Sequence, residues 1–256
     1  MTLDSINKAL YSSSDGVDSY VNTTLQAPEV SIFVNYKDDY YGKKILDIGC
    51  GAGRTSHYLR NFTDRYVGVD YSRAMVDFCQ RKYPEMQFRN GDVRDLSNFD
   101  DNEFDFVLFS YNGLDYIDHN DRLLALCEIK RVLKTEGLFV FSTHNRHYNG
   151  ITVKPTLQLS LNPLRAAKNV LSYFEQLKNR NELKKKEVQT DEYALLNDNG
   201  NNFGLITYYI DKDSQTRQLA DAGFELLEMY KLNGQSLAAK EDDSKSCWIY
   251  YVARRV

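Results

Sequence analysis

From residue 44 onward, short apolar runs alternate with amphipathic stretches. KKILDIG, RYVGVD, MQFRNGD, FDFVLFSY and GLFVFSTHN have the β-branched and aromatic density of strands. RTSHYLRNF, SRAMVDFCQRKY and NDRLLALCEIKRVLK fall between them as helices. That rhythm predicts five strands before residue 145, in a parallel sheet with crossover helices. In the last of these helices Leu123, Leu126, Ile129, Val132 and Leu133 share one face and are expected to meet the core.

The remainder follows other patterns. DSQTRQLADAGFELLEMY reads as a helix closed near Gly223 and followed by a strand, and SCWIYYVARRV reads as a final strand. The short segment between these two strands predicts an antiparallel pair at a sheet edge. Residues 146–210 are not needed by the βα rhythm. Pro163 opens a predicted helix, and VQTDEYALL and FGLITYYI form a predicted hairpin around the turn signal Asn199-Gly200. We read this insertion as a cap over the sheet. In the first 40 residues, SDGVDSYVNTT and APEVSIFVNYKDDY each predict a short helix.

A chain of 256 residues, 42% hydrophobic and 27% charged, has enough material for one large α/β domain with an insertion. Its net charge of -4 argues against a general binder of nucleic acid or anionic membrane, and makes a small-molecule substrate the expectation. Cys50, Cys79, Cys127 and Cys247 show no C-x-x-C spacing and are expected to be buried free thiols. No basic-then-apolar leader and no run approaching about 18 apolar residues is present, so a cytoplasmic protein without membrane insertion is expected.

The chemistry begins at ILDIGCGAGR, residues 45–54. A strand running into a glycine loop that opens a helix brings backbone N–H groups to the carboxyl edge of the sheet, where doubly wound folds bind nucleotides. A dinucleotide fingerprint needs glycine where this chain has Arg54, and Asp47 beneath the loop would repel a pyrophosphate while suiting an ammonium group. Asp70, about 20 residues on, is placed to accept from ribose hydroxyls, a feature that alone would suit NAD equally. Asp92 ends the third strand, where it can accept from an adenine amino group while the Val93 N–H faces a ring nitrogen. No role for Arg54 follows from the pattern.

In order and spacing, ILDIGCGAGR, VGVDYS, NGDVRDL and FDFVLFSYNGLDYI resemble the motifs of class I S-adenosylmethionine-dependent methyltransferases, and EIKRVLKTEGLFVFSTHN resembles the stretch that follows them. The resemblance covers about residues 43 to 145. It implies a Rossmann-like seven-stranded α/β sheet of order 3-2-1-4-5-7-6, last strand antiparallel, with helices on both faces and the helix-plus-hairpin cap inserted. It also implies S-adenosylmethionine as cofactor, contacted by Asp47, Gly49, Cys50, Gly51, Asp70, Tyr71, Asp92, Val93 and Ser110. Met75 is a candidate to pack on the adenine. Residues 1–42 would form a lid, with Tyr11 and Tyr20 closing on cofactor or substrate by cation–π attraction or hydrogen bonding. Residues 43–145 would then form the cofactor core, 146–210 the cap, and 211–256 the rest of the core.

Acceptor chemistry belongs at the ends of the fourth and fifth strands. His144 is the first candidate for a base and Asp115 the second. Asp115 and Asp118 are too isolated for a catechol-type metal site, and STHNRHY lacks zinc spacing, so no metal is expected. Lys184, Lys185 and Lys186 could face a phosphate, but so short a run reads first as a solvated loop. The expected function is methyl transfer to an oxygen or nitrogen of a small polar acceptor, a sugar or sugar nucleotide, by a monomer or homodimer. A cofactor-binding regulatory protein would carry the same loop. An NAD-dependent oxidoreductase would not need Asp47 or Arg54.

Overall fold

Ile45–Ile48 (β1) is buried along its whole length, as a strand with neighbours on both edges and helices on both faces must be. The computed structural model describes Asn7 and residues 24–256. β1 pairs in parallel with Tyr66–Asp70 (β2) and Phe104–Phe109 (β4); β2 carries Gln87–Asn90 (β3), and β4 carries Leu133–Asn145 (β5). Trp248–Arg255 (β10) runs antiparallel to β5 and to Phe224–Lys231 (β9). These seven strands give the expected order, with β9 and β10 in the outer places.

Successive residues of each strand feed opposite layers. Leu46, Val107, Phe139 and Phe141 pack on one face, with Ala125, Leu126 and Ile129 of the helix His119–Val132 and Leu219 of the helix Lys212–Asp221. Ile45, Phe106, Leu138 and Val140 pack on the other. There they meet Ile32 and Phe33 of Ala27–Asn35 (α1), Tyr40 of Lys37–Tyr40 (α2), Leu59 of Ser56–Leu59 (α3), and Val76 and Cys79 of Arg73–Lys82 (α4). We number His119–Val132 as α5, Pro163–Leu183 as α6 and Lys212–Asp221 as α7.

Three expectations change. Leu123 is 39% exposed, and the inward face of α5 is Arg122, Ala125, Leu126, Ile129 and Val132, because a buried arginine with a full set of acceptors holds the place periodicity had given to leucine. Cys127 is exposed and Cys247 half-buried, so only Cys50 and Cys79 are buried thiols. The inserted hairpin, Tyr193–Leu196 (β7) with Thr207–Ile210 (β8) and the short Val188–Gln189 (β6), extends the sheet instead of crossing it. β8 pairs with His144 and Asn145 of β5, while β10 holds His144 from the opposite edge. β8 thus takes the edge of β5 that β4 leaves open beyond Phe109.

Candidate functional site

The carboxyl ends of β1, β2 and β4 surround a cleft of about 1200 Å³, part of it open to solvent. Its floor is the glycine loop. Gly49 has φ +63° and a Cβ there would meet the Phe109 ring at 2.8 Å; Gly51 has φ +53°. Side chains at these positions would be strained, and their absence lets a ligand reach the backbone. Asp47, Gly49, Cys50, Gly51, Asp70, Tyr71, Met75, Asp92, Val93 and Ser110, the ten expected cofactor residues among those described, all line this cleft. Tyr11 and Tyr20 lie outside the described residues.

Asp47 is buried, and its Oδ2 accepts from Thr55 Oγ1 at 2.5 Å and from the Tyr66 hydroxyl at 2.7 Å. Burial raises its pKa to about 6, against the lowering effect of the two hydroxyls and of Arg54. The Oδ1 atom has no hydrogen bond among the described residues and is the oxygen left for an ammonium group. Asp70 accepts one backbone N–H on each oxygen, from Gly51 at 2.9 Å and Ser72 at 2.8 Å. Each oxygen keeps a lone pair for a ribose hydroxyl, while the carboxylate itself fixes the loop. Burial also pushes the Asp70 pKa up. Asp92 is clamped by its near neighbour Arg94, through Nε at 2.9 Å and NH2 at 2.6 Å, and Arg94 reaches on to Asp121 at 2.6 Å. Cys50 is an inert wall: contact with Cys79 and burial push its thiol pKa well up.

Arg54 gains a role that its sequence did not announce. Its guanidinium meets the carboxylate of Glu29 two-pronged, through NH1 and through NH2 at 2.7 Å, and NH2 donates to Ser110 Oγ at 2.8 Å. Glu29 is fully buried, closes the capping box of α1, and accepts from Ser110 at 2.5 Å and from Tyr250. The arginine that breaks the dinucleotide fingerprint therefore bolts α1 onto the glycine loop. Asn7 makes a second such tie, donating to the carbonyls of Tyr116 at 2.8 Å and Ile206 at 3.1 Å.

On the acceptor side, Tyr111 and Asn112 follow each other at φ +60° and +62°, a costly pair for residues with side chains. The bend is held by Ser142 Oγ, which accepts from the Asn112 N–H at 2.8 Å, and it leads into the 3₁₀ turn Gly113–Tyr116. That turn places Asp115, fully buried, beneath the end of β5. Its Oδ2 accepts from the backbone N–H of His144 at 2.7 Å and lies 2.7 Å from His144 Nδ1. Its Oδ1 accepts from Thr143 at 2.5 Å and from Arg122 at 2.8 Å. Arg122 is itself fully buried and spends every N–H, the other four on Leu114 O, Thr143, Gln215 and Gln218.

A carboxylate at Nδ1 fixes the tautomer, with the proton on Nδ1 and Nε2 free to accept. His144 does not line the cofactor cleft. Trp248 packs edge-on against His144 at 5.7 Å, and against the cleft-lining Tyr111 at 5.2 Å, so one aromatic ring touches both His144 and the cleft wall. Tyr209 flanks His144 at 5.1 Å. Asp115 is fully buried and, like His144, does not line the cofactor cleft. Among the described residues there is no cluster of side chains able to hold a metal.

Glu29, Thr55, Tyr66, Arg94 and Arg122 are the site residues the sequence did not disclose. Glu29, Thr55, Tyr66 and Arg122 each contact a predicted residue from another turn or strand, while Arg94 stands two residues from Asp92 in the same turn; capping-box spacing, Glu29 three residues after Gln26, was the local signal for Glu29.

Residues 45–137 match the family model described as "Methyltransferase domain". The chain is 32% identical over 123 residues to the "Probable S-adenosylmethionine-dependent methyltransferase" of Mycolicibacterium smegmatis, 48% of this chain and 44% of that protein. It is 33% identical over 115 residues to the fatty-acid O-methyltransferase of the same organism, 43% and 40%. The matches thus span less than half of these relatives' length. Among solved structures, the Burkholderia thailandensis 1,6-didemethyltoxoflavin-N1-methyltransferase, with S-adenosylhomocysteine bound, shares the fold at TM-score 0.62, 14% identity, covering 99% of this chain and 88% of that one. Residues 45–137 thus carry a methyltransferase domain, and the chain around them has the fold that S-adenosylmethionine-dependent methyltransferases of known structure share.

Proposed function

We propose that the protein transfers a methyl group from S-adenosylmethionine to an oxygen or nitrogen of a small polar acceptor, and that the preferred acceptor is a hydroxyl of a sugar or sugar nucleotide. The cofactor supplies a methyl carbon on a sulfonium, open to in-line displacement by an acceptor lone pair. The cleft fits that molecule in the chemistry of its walls. Asp47 Oδ1 offers an anion to the amino-acid end, Asp70 two acceptor sites to the ribose, and Met75, Val93 and Phe109 apolar surface to a ring. Asp92, just past the end of β3 on the cleft wall, would be the acceptor for the adenine amino group.

The observation that carries the reading of the acceptor is the His144–Asp115–Arg122 relay. A carboxylate acceptor needs no base and an amine needs only to be unprotonated, whereas a hydroxyl must lose its proton as the new bond forms. His144 Nε2 takes that proton, Asp115 holds the ring and stabilises the resulting cation, and Arg122 keeps Asp115 from being an unpaired buried charge. Trp248 and Tyr209 beside His144 supply flat faces suited to a sugar ring.

Labelled S-adenosylmethionine with a panel of sugar nucleotides, followed by mass identification of the product, tests the acceptor. We expect His144→Gln to lower kcat by about 10²–10⁴-fold with cofactor Kd nearly unchanged. Undiminished turnover in that variant would remove His144 as the base. A protein that binds cofactor yet methylates nothing in the panel or in cell extract would be a regulator.

A further inference from the structure

Helix α6 runs for 21 residues without burying one. One side is tied down: Ser172 Oγ bonds Asn202 Oδ1 at 3.0 Å, and Asn179 Nδ2 donates to the Asn202 carbonyl at 3.0 Å. The side turned outward carries Leu164, Leu171 and Phe174, which are 84%, 71% and 62% exposed. At 3.6 residues per turn these fall within about a third of the circumference. Just ahead of the helix, TLQLSLN places Leu157, Leu159 and Leu161 at alternate positions, the last two fully or nearly fully exposed. Asn169 of α6 donates to the Gln158 carbonyl at 2.8 Å, which straps this leucine run against the helix. Single exposed leucines are ordinary, but six large apolar side chains on one strap and helix mark a surface that meets something.

Charge indicates what it meets. Residues 151–186 hold eight lysines and arginines against two glutamates, in a chain whose net charge is -4. Arg165, Lys168, Lys178, Lys184 and Lys185 form no ion pair among the described residues. Leucine and phenylalanine bordered by unpaired cations is the composition of a helix that lies in a lipid–water interface and is drawn there by anionic headgroups. A second copy of this chain would bring the same cations against them, and a nucleic acid would have no use for the leucines.

We propose that residues 157–186 dock the protein on the surface of an anionic lipid bilayer, with Leu157–Leu161 and the outer face of α6 entering the headgroup boundary and the lysines paired with lipid phosphates. The attachment would be peripheral, since no helix among the described residues is long and apolar enough to cross a membrane. It does not depend on the identity of the methyl acceptor.

The full chain should be sedimented with vesicles of phosphatidylcholine alone and of phosphatidylcholine with phosphatidylglycerol. We expect about tenfold or greater enhancement of binding by phosphatidylglycerol, reduced when salt rises from about 0.1 M to about 0.5 M. The variant Leu159→Ser/Leu161→Ser/Leu171→Ser should lose about tenfold in binding at either salt, and Lys184→Gln/Lys185→Gln should lose only the phosphatidylglycerol enhancement. Unchanged cofactor affinity verifies that both variants fold. Absence of binding to anionic vesicles, equal binding by the leucine variant, or a lipid-free dimer that the leucine variant dissociates would overturn the proposal.

Discussion

Asp47 shows how one residue can serve two opposed demands. Burial raises its pKa to about 6, so the folded chain holds that proton more tightly than the unfolded chain, in which a carboxyl titrates near about 4. The sign follows: the contribution of Asp47 to stability is full below about pH 4 and is lost as pH rises through about 6. A cofactor ammonium needs the opposite state, the carboxylate. We therefore expect the Kd for S-adenosylmethionine to rise as pH falls from 7.5 to 5, bending near pH 6, and the profile to flatten in Asp47→Asn. Calorimetry across that range is the check, and a flat profile in the unmodified protein would take Asp47 out of the ammonium contact. The motif alone placed this carboxylate at the loop; it could not reveal that Thr55 and Tyr66 take one oxygen and leave the other.

At the scale of elements, the bond between α1 and the glycine loop makes a clean test because both charges are nearly out of water. Glu29→Gln leaves Arg54 buried and half-paired, and should cost about 3–5 kcal/mol in denaturant unfolding, whereas Glu29→Leu with Arg54→Met should cost much less. A double variant as damaged as the single one would show that the pair has another role. The same element explains which features could be read from sequence. Strands such as β1, β2 and β4 are local apolar runs, and the glycines, Asp47 and Asp70 sit at fixed steps from them, so period and spacing sufficed. Glu29–Arg54, Asp115–His144 and Arg122–Gln215 join residues far apart in the chain, and no local pattern encodes such a partnership. Leu123 failed for a related reason: periodicity ranks faces by apolarity, and it had no means of knowing that five acceptors would make Arg122 the better core residue.

At the scale of the molecule, the two apolar layers share one sheet, while residues 151–162 contribute no regular element and α6 buries nothing. Limited trypsin should cut first at Lys184–Lys186, and the fragments should co-elute on gel filtration because β8 stays hydrogen-bonded to β5. Early cleavage within residues 45–137, or separation of the nicked pieces, would contradict this division of stability. The pairing has a further consequence. The chain leaves β5 after Asn145 and comes back beside the same rung, Tyr209 opposite His144 and Ile210 opposite Asn145. An excursion whose ends are already clasped can change length cheaply, at about 0.6 kcal/mol per doubling. This rung is thus a natural graft point: an exchanged insert would alter what approaches His144 and leave the glycine loop at the end of β1 unchanged.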